Sequence, residues 1–234
     1  KADTIKKQIL SLYLADIGKY AGKDELKVYS LLGNIPGQLS KKEKKFKLAD
    51  IDQNARMRTY EDAFVWLDKS MMINRCVNAT DPNIGLSMSR DNTTQKCYMG
   101  DTGLLVTQTF RDNEYTDNLL YKSVLLDKLN VNEGMLMENI VAQMLRCNGH
   151  HLFFYSRIDS ANRSNNMEID FLISDNKKIS PVEVKSSAYR KHSSLDKFYS
   201  RFKNKLGERY VLYPKDVMIK DGVVHLPRYM AMFL

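Results

Sequence analysis

The sequence predicts an α/β fold, α+β overall, in which an N-terminal helical unit precedes an α/β domain. Three observations predict it. Before residue 72 the apolar residues recur mostly at helical spacing. After residue 132, short β-branched and aromatic runs bounded by turn residues alternate with helical stretches. Asp221-Gly222, set between Val217-Met218-Ile219 and Val223-Val224, is a strong signal for a tight hairpin. With 234 residues, 43% hydrophobic and 27% charged, the chain can bury a real core, and its length suits two units. That composition excludes a disordered chain.

Ile5, Ile9, Tyr13 and Ile17 form a stripe for a helix over residues 4–20 that Gly22 can end. A second helix is expected over 24–32, with Gly33-Asn34-Ile35-Pro36-Gly37 as its breaker and 41–47 as a basic loop or helix start. Tyr60, Ala63, Phe64, Leu67 and Met71 share one face of a third helix, over 57–72. Strands at 73–77 and 95–99 should pair after it. Three helices and a two-stranded ribbon follow the order of a winged helix. Residues 111–131 read as a linker with a helix carrying Leu119, Leu120, Val124, Leu125 and Leu129. Beyond it come a helix over 135–147, strands at 152–156, 167–173 and 181–187, a helix over 193–206 and a strand at 209–213. The expected division is therefore 1–110, the linker 111–131, and 132–234.

The formal net charge of +8 sits at the two ends. Residues 1–50 carry 11 basic and 6 acidic groups, residues 51–185 carry 15 and 18, and residues 186–234 carry 10 and 4. A phosphate-rich partner suits that balance, as does a solvated surface. Cys76, Cys97 and Cys147 are odd in number and far apart, which excludes a disulfide framework and a zinc knuckle. His150, His151, His192 and His225 show no metal-ligand spacing. No apolar run approaches the roughly 18 residues of a membrane span, so no membrane partner is expected and the expected location is cytoplasmic. The chain starts at Lys1 and not at Met, as a fragment of a longer chain would. Nothing in the sequence fixes an oligomeric state.

The chemistry concentrates in Glu168-Ile169-Asp170-Phe171-Leu172-Ile173 and Pro181-Val182-Glu183-Val184-Lys185. Alternation along a strand puts Asp170 with Leu172 on one face and Ile169, Phe171 and Ile173 on the other. The same parity groups Glu183 with Lys185 and turns Val182 and Val184 into the core. Seven turn-rich residues, 174–180, allow an antiparallel pair that gathers Asp170, Glu183 and Lys185. Asp170 and Glu183 are hard oxygen ligands of the kind that hold Mg²⁺ or Mn²⁺ beside a phosphate. Lys185 adds a cation for the phosphoryl transition state. Glu138, on the preceding helix, could complete the coordination. Glu168 shares the parity of Asp170 and reads as a solvated neighbour. The bland alternative is that these charges decorate the solvent face of a half-exposed ribbon.

Asp170 followed by Glu183-Val184-Lys185, after a helix bearing Glu138, resembles the D…(E)xK signature of the PD-(D/E)XK nuclease superfamily. The likeness extends to Glu133-Gly134-Met135-Leu136-Met137-Glu138-Asn139-Ile140-Val141, to Pro-Val-Glu-Val-Lys-Ser-Ser, and to Lys96-Cys97-Tyr98-Met99-Gly100-Asp101-Thr102-Gly103-Leu104. These runs are similar to the C-terminal region of bacterial and archaeal AAA-type ATPases, in which a P-loop domain precedes a winged-helix segment and a nuclease-like domain. The resemblance implies a restriction-endonuclease-like α/β domain, a phosphodiesterase site of Glu138, Asp170, Glu183 and Lys185 with Mg²⁺ or Mn²⁺, DNA as substrate, and an upstream ATPase domain of the same parent as partner. Ile169-Asp170 stands where the signature has Pro-Asp, which leaves the carboxylate in place.

No G-x-x-x-x-G-K-[ST] loop occurs. The nearest run, Gly18-Lys19-Tyr20-Ala21-Gly22-Lys23-Asp24, is one residue short between its glycines and has Asp where the Mg²⁺-binding hydroxyl belongs. ATP is thus expected only in an upstream domain. Lys197, Arg201 and Lys205 form a basic stripe that could follow a phosphate backbone, or a solvated face. In the third helix Glu61, Asp62 and Asp68 outweigh Arg58 and Lys69, which argues against reading a major groove. A different class of function, a non-catalytic interaction or regulatory module of the parent ATPase, competes with the nuclease.

Overall fold

The computed structural model describes residues 2–111, 133–175, 177–186 and 192–234. Most of the segment read as a linker helix, 112–131, lies outside the described residues, as does Ser187 of the Lys-Ser-Ser run. The fold is mixed α/β with an N-terminal helical unit and an eight-stranded mixed sheet. The chain divides into two compact units, residues 1–75 with 96–139 and residues 76–95 with 140–234.

In the helical unit, α1 (Ala2–Tyr20), α2 (Glu25–Leu39) and α3 (Met57–Lys69) are followed by α4 (Thr102–Thr109). Ile17, Val28, Leu31, Ile35, Leu39, Phe64 and Leu67 are all 0–1% exposed. Phe64 and Leu67 belong to the expected stripe of α3, whereas of the expected α1 stripe only Ile17 is buried and Ile5 is 49% exposed. Phe46 meets Phe64 edge-on at 5.3 Å between ring centres. Tyr29 ties α2 to α1 by donating its hydroxyl to the Leu14 carbonyl at 2.7 Å. Met71, expected on the buried face of α3, is instead 77% exposed. The helix has ended by then, and Met71 takes a left-handed turn (φ 59) that swings its side chain outward.

The expected break at 33–37 does not occur, because α2 runs through Pro36 to Leu39. A proline inside a helix leaves the carbonyl four residues back without its N–H partner. Here that carbonyl belongs to Leu32, and the Gln108 side-chain amide of α4 donates to it at 2.7 Å. Burial of Ile35 and Leu39 draws the helix onward past the proline. Helix termination was therefore overruled by one tertiary hydrogen bond and an apolar face.

In the sheet the strands lie in the order β2-β1-β3-β4-β5-β6-β8-β7, where β1 is Ile73–Ala79, β2 Arg90–Met99, β3 Leu152–Arg157, β4 Met167–Asp175, β5 Lys178–Val184, β6 Tyr210–Tyr213, β7 Met218–Lys220 and β8 Val223–Pro227. The predicted ribbon, β1 with β2, is present. It does not end as a free wing, since β1 also pairs in parallel with β3, Cys76 opposite Leu152. All seven residues of β1 are buried accordingly. β4 pairs antiparallel with β3 and β5, while β5, β6 and β8 run parallel. The predicted hairpin turns at Asp221 (φ 52) and Gly222 (φ 69), the left-handed pair a two-residue loop requires.

Helix α5 (Glu133–Cys147) precedes β3. Helix α6 (Ser193–Phe202) is shorter than the expected 193–206, with a 3-10 turn over Lys203–Lys205 finishing the segment. Leu195 and Phe198 of α6 join Tyr155, Ile169, Leu172 and Val211 in one core cluster, where Tyr155 and Phe198 meet at 4.9 Å.

The Gln108 bond makes a direct prediction. Gln108→Leu should lower stability by about 1–3 kcal/mol, because the buried Leu32 carbonyl loses its donor. In a Pro36→Ala background, where the backbone can donate instead, the loss should be clearly smaller. A double-mutant cycle from urea unfolding reads both values.

Candidate phosphodiesterase site

The alternation expected along β4 fails at one place. Phe153 pairs with Leu172 and Tyr155 with Ile169, so the single residue Phe154 of β3 faces two residues of β4, Asp170 and Phe171. This bulge explains why Ile169 and Leu172, of opposite parity, share one core cluster. Bulges of this kind re-aim a side chain and end a ladder. On the other edge of β4 the ladder reaches Phe171 opposite Val182, and one further step places Asp170 opposite Glu183. There the Asp170 side chain replaces a ladder bond, its Oδ2 accepting the Val184 N–H at 2.9 Å.

Glu183 is 2% exposed, and Leu172 is 1%. Glu183 therefore does not decorate a solvent face, while Asp170 and Lys185 are half-buried. Lys185 Nζ lies 2.9 Å from Glu183 Oε2, as an ion pair whose angles are poor for a hydrogen bond. Burial pushes the Glu183 carboxyl above the ordinary glutamate range. Lys185 and His192 pull it down and Asp170 pushes it up, and the net direction is upward. The Lys185 backbone is held on two sides. Its N–H donates to the Leu212 carbonyl of β6 at 2.8 Å. Its carbonyl accepts from Arg228 Nη2 at 2.9 Å, and the same guanidinium reaches the Ser186 carbonyl at 3.0 Å. Arg228 was invisible to sequence reasoning, since nothing in its neighbourhood points 43 residues back.

The structure thus brings Asp170, Glu183 and Lys185 together. Glu138 belongs to the helical unit and has partners of its own there. It is 6% exposed, with Lys44 Nζ at 2.6 Å from Oε1, and the Tyr98 hydroxyl donates to Oε2 at 3.1 Å. Lys96, only 1% exposed, stands 3.9 Å from the same oxygen. Next to it, Asn139 clasps the Met99 backbone, accepting its N–H at 2.7 Å and donating to its carbonyl at 3.1 Å. Asn139 also donates to the Thr102 hydroxyl at 2.8 Å. Gln38 pins the loop that carries Lys44, donating to Asp50 Oδ2 at 2.6 Å and accepting from the Lys47 N–H.

The basic stripe is engaged within the fold. Lys197 donates to the Ser164 carbonyl at 2.6 Å, Lys205 pairs with Asp81 at 2.7 Å, and the Arg201 guanidinium lies over the Phe202 ring at 5.5 Å. Glu168 is half-buried. In the third helix, Glu61 accepts two bonds from Arg75 Nη2 at 3.0 and 3.1 Å, so part of that acidic excess serves a buried arginine. Cys76 and Cys97 are buried, and burial pushes the Cys97 thiol up to about 12.

Residues 1–115 are similar to a family described as a domain of unknown function (DUF8612), and residues 133–229 to a second, also described as a domain of unknown function (DUF4143). No curated protein and no solved structure matches the chain. Among the described residues, no helix is long and apolar enough to cross a membrane.

Two outcomes are expected. Folding binds a proton to Glu183 more tightly than unfolding does, so the stability this group contributes is present below 4.5 and is lost as pH rises from there through its raised folded value. Glu183→Gln should remove that decline and leave the protein at least as stable at neutral pH, as urea midpoints taken across the range will show. Glu138→Ala should cost about 3 kcal/mol in the same assay, because Lys96 and Lys44 lose the carboxylate that balances them.

Proposed function

We propose that the α/β unit is a metal-dependent phosphodiesterase acting on DNA, and that the chain is the C-terminal piece of an AAA-type ATPase. The observation that carries the first part is the convergence of Asp170, Glu183 and Lys185 where the β4–β5 ladder ends. Glu183 is buried beside a second carboxylate, and the cations near it do not cancel the cost. A divalent ion is the group that would.

The donor set fits Mg²⁺ or Mn²⁺. Among the described residues no three or more His, Cys, Asp or Glu gather as a metal cluster, so the protein would supply two carboxylates, Asp170 and Glu183. Mg²⁺ is commonly held by one or two carboxylates, several waters and a substrate phosphate. Bound there, the ion would supply an activated water and charge neutralisation on the phosphate. The residues have their own parts. The Val184 N–H fixes the orientation of Asp170. Lys185, its side chain 28% exposed and its backbone clamped, presents a cation to the phosphoryl group. Glu138, whose oxygens are engaged by Lys44 and Tyr98, is read as holding the helical unit together and not as a metal ligand.

The ATPase parentage is supported by the match to DUF4143, which is commonly found with AAA ATPases, together with the motif runs around Gly100 and Glu138. Because the chain has no Walker loop, it should show no saturable micromolar ATP binding. The competing reading, a non-catalytic interaction module, draws on the internal engagement of Lys197 and Lys205.

Calorimetry with Mg²⁺ and Mn²⁺ separates the two. Asp170→Asn keeps an acceptor for the Val184 N–H but removes the anion, so metal binding should be lost while the fold survives. Lys185→Ala should keep metal binding and slow DNA cleavage on the order of 10²-fold. If the wild-type chain shows no metal binding that Asp170→Asn removes, and cleaves neither single- nor double-stranded DNA, the enzyme reading fails and the interaction module replaces it.

A further inference from the structure

The lysine of the proposed site stands at a bend. β5 ends at Val184, and the chain leaves the extended form at Ser186. In an extended strand successive carbonyls point to opposite edges. Here the carbonyls of Lys185 and Ser186 converge on one nitrogen, Arg228 Nη2, at 2.9 and 3.0 Å, and Arg228 Nε donates to the first of them at 3.2 Å. Two carbonyl dipoles turned toward one point repel each other, so the bend needs donors between them. A guanidinium is the side chain that presents several donors from one rigid plane.

The sheet delivers Arg228 to this place. Val184 of β5 is in register with Leu212 of β6, and Leu212 with Leu226 of β8, so the residues just past β8 come level with the end of β5. Arg228 opens the 3-10 turn Arg228–Phe233, directly after Pro227. That turn is itself pinned. Ala231 is 0% exposed, and at the far end Asn148 Nδ2 donates to the Leu234 carbonyl at 2.6 Å, with the His150 ring 2.8 Å from the same oxygen. Arg228 is therefore a half-buried prop on a fixed base.

What the prop fixes is the direction of one side chain. A Cα–Cβ bond is aimed by the two peptide planes that flank it. At Lys185 the preceding plane is held by its N–H, which donates to the Leu212 carbonyl at 2.8 Å, and the following plane by Arg228. The ammonium so aimed lies 2.9 Å from Glu183 Oε2.

We infer that Arg228 is a positioning residue of the phosphodiesterase site, acting on the reaction only through Lys185 by holding the bend that aims its ammonium at the phosphoryl group. The inference rests on the reading of Asp170, Glu183 and Lys185 as that site. Arg228 would touch neither metal nor substrate, so its loss should appear in the chemical step and not in DNA binding.

The test is a double-mutant cycle on DNA cleavage by the whole chain with Mg²⁺. Arg228→Met keeps the packing of a long stem and removes the donors. It should lower kcat about tenfold, the scale of a small misplacement of a reacting group, with KM and Mg²⁺ binding unchanged. In a Lys185→Ala background the same substitution should cause no further loss. Arg228→Lys, which keeps the charge without the fork, should recover part of the rate, and it carries the cycle if Arg228→Met does not fold. An undiminished loss beside Lys185→Ala would show an effect independent of Lys185, and a raised KM a direct contact with DNA. Either would overturn the proposal, as would an unchanged kcat. Proton exchange of the Lys185 ammonium, followed by NMR in protein with isotopically labelled lysine, gives a readout without turnover. It should quicken about fivefold in Arg228→Met, as loss of one partly exposed ion pair would give, and unchanged exchange would overturn the proposal. A wild-type chain that cleaves no DNA defeats the reading of the site and this inference with it, whereas additive losses in a chain that does cleave defeat this inference alone.

Discussion

A carboxylate withdrawn from water has to recover its lost hydration from the protein, and two glutamates set that constraint here. Glu138 and Glu183 are both nearly inaccessible, one in each unit, and the chain treats them in opposite ways. Glu138 receives two lysines and a phenol. Glu183 receives one lysine at contact distance, while a second carboxylate pushes against it. The first arrangement closes a structural network. The second sets two carboxylates close to one lysine where the β4–β5 ladder ends.

The same contrast reinterprets the motif runs. Residues 96–104 and 133–141, the runs that resemble the C-terminal region of AAA-type ATPases, hold each other in the folded chain. Lys96 and Tyr98 approach Glu138, and the Met99 backbone and Thr102 hydroxyl bind Asn139. Gly100 between them has no alternative, since a Cβ there would come within 2.3 Å of the Met71 carbonyl. Asp101 then caps α4 by accepting the Leu104 N–H at 2.8 Å. Lys96, Tyr98, Met99, Gly100, Asp101 and Thr102 thus each have a structural task in the helical unit.

Much of the fold was legible because it depends on local periodicity. The helices α1 and α3, the strands of the second half and the Asp221-Gly222 hairpin follow from short-range pattern, but Ile5 of the α1 stripe is 49% exposed and β5 begins at Lys178, inside the expected turn, and ends at Val184. What escaped depends on partners distant in sequence. Pro36 reads as a stop until Gln108, in α4, supplies the missing donor. The lysine that reaches Glu138 comes from 94 residues away, and Arg228 reaches Lys185 from 43. The site residues Asp170, Glu183 and Lys185 were found from strand parity, but that argument was incomplete. Strict alternation separates Ile169 from Leu172, whereas the bulge reunites them in one core and gives Asp170 its place.

That bulge links stability to chemistry. A regular ladder through position 170 would pair backbone with backbone, and Asp170 would have no claim on the Val184 N–H. Past Phe171 the β4–β5 pairing stops, the Asp170 carboxylate takes over the Val184 donor, and Lys185 follows just beyond the end of β5. The ends of strands are where a sheet can separate its backbones enough to admit a ligand without breaking core contacts. The buried cluster of Ile169, Leu172 and Phe198 anchors the strand up to that point, and Arg228 fixes the chain just beyond it. Rigid support on both sides is what lets a carboxylate pair that opposes folding persist, and it confines the pair to a few ångströms where an anion-bridging cation could relieve it.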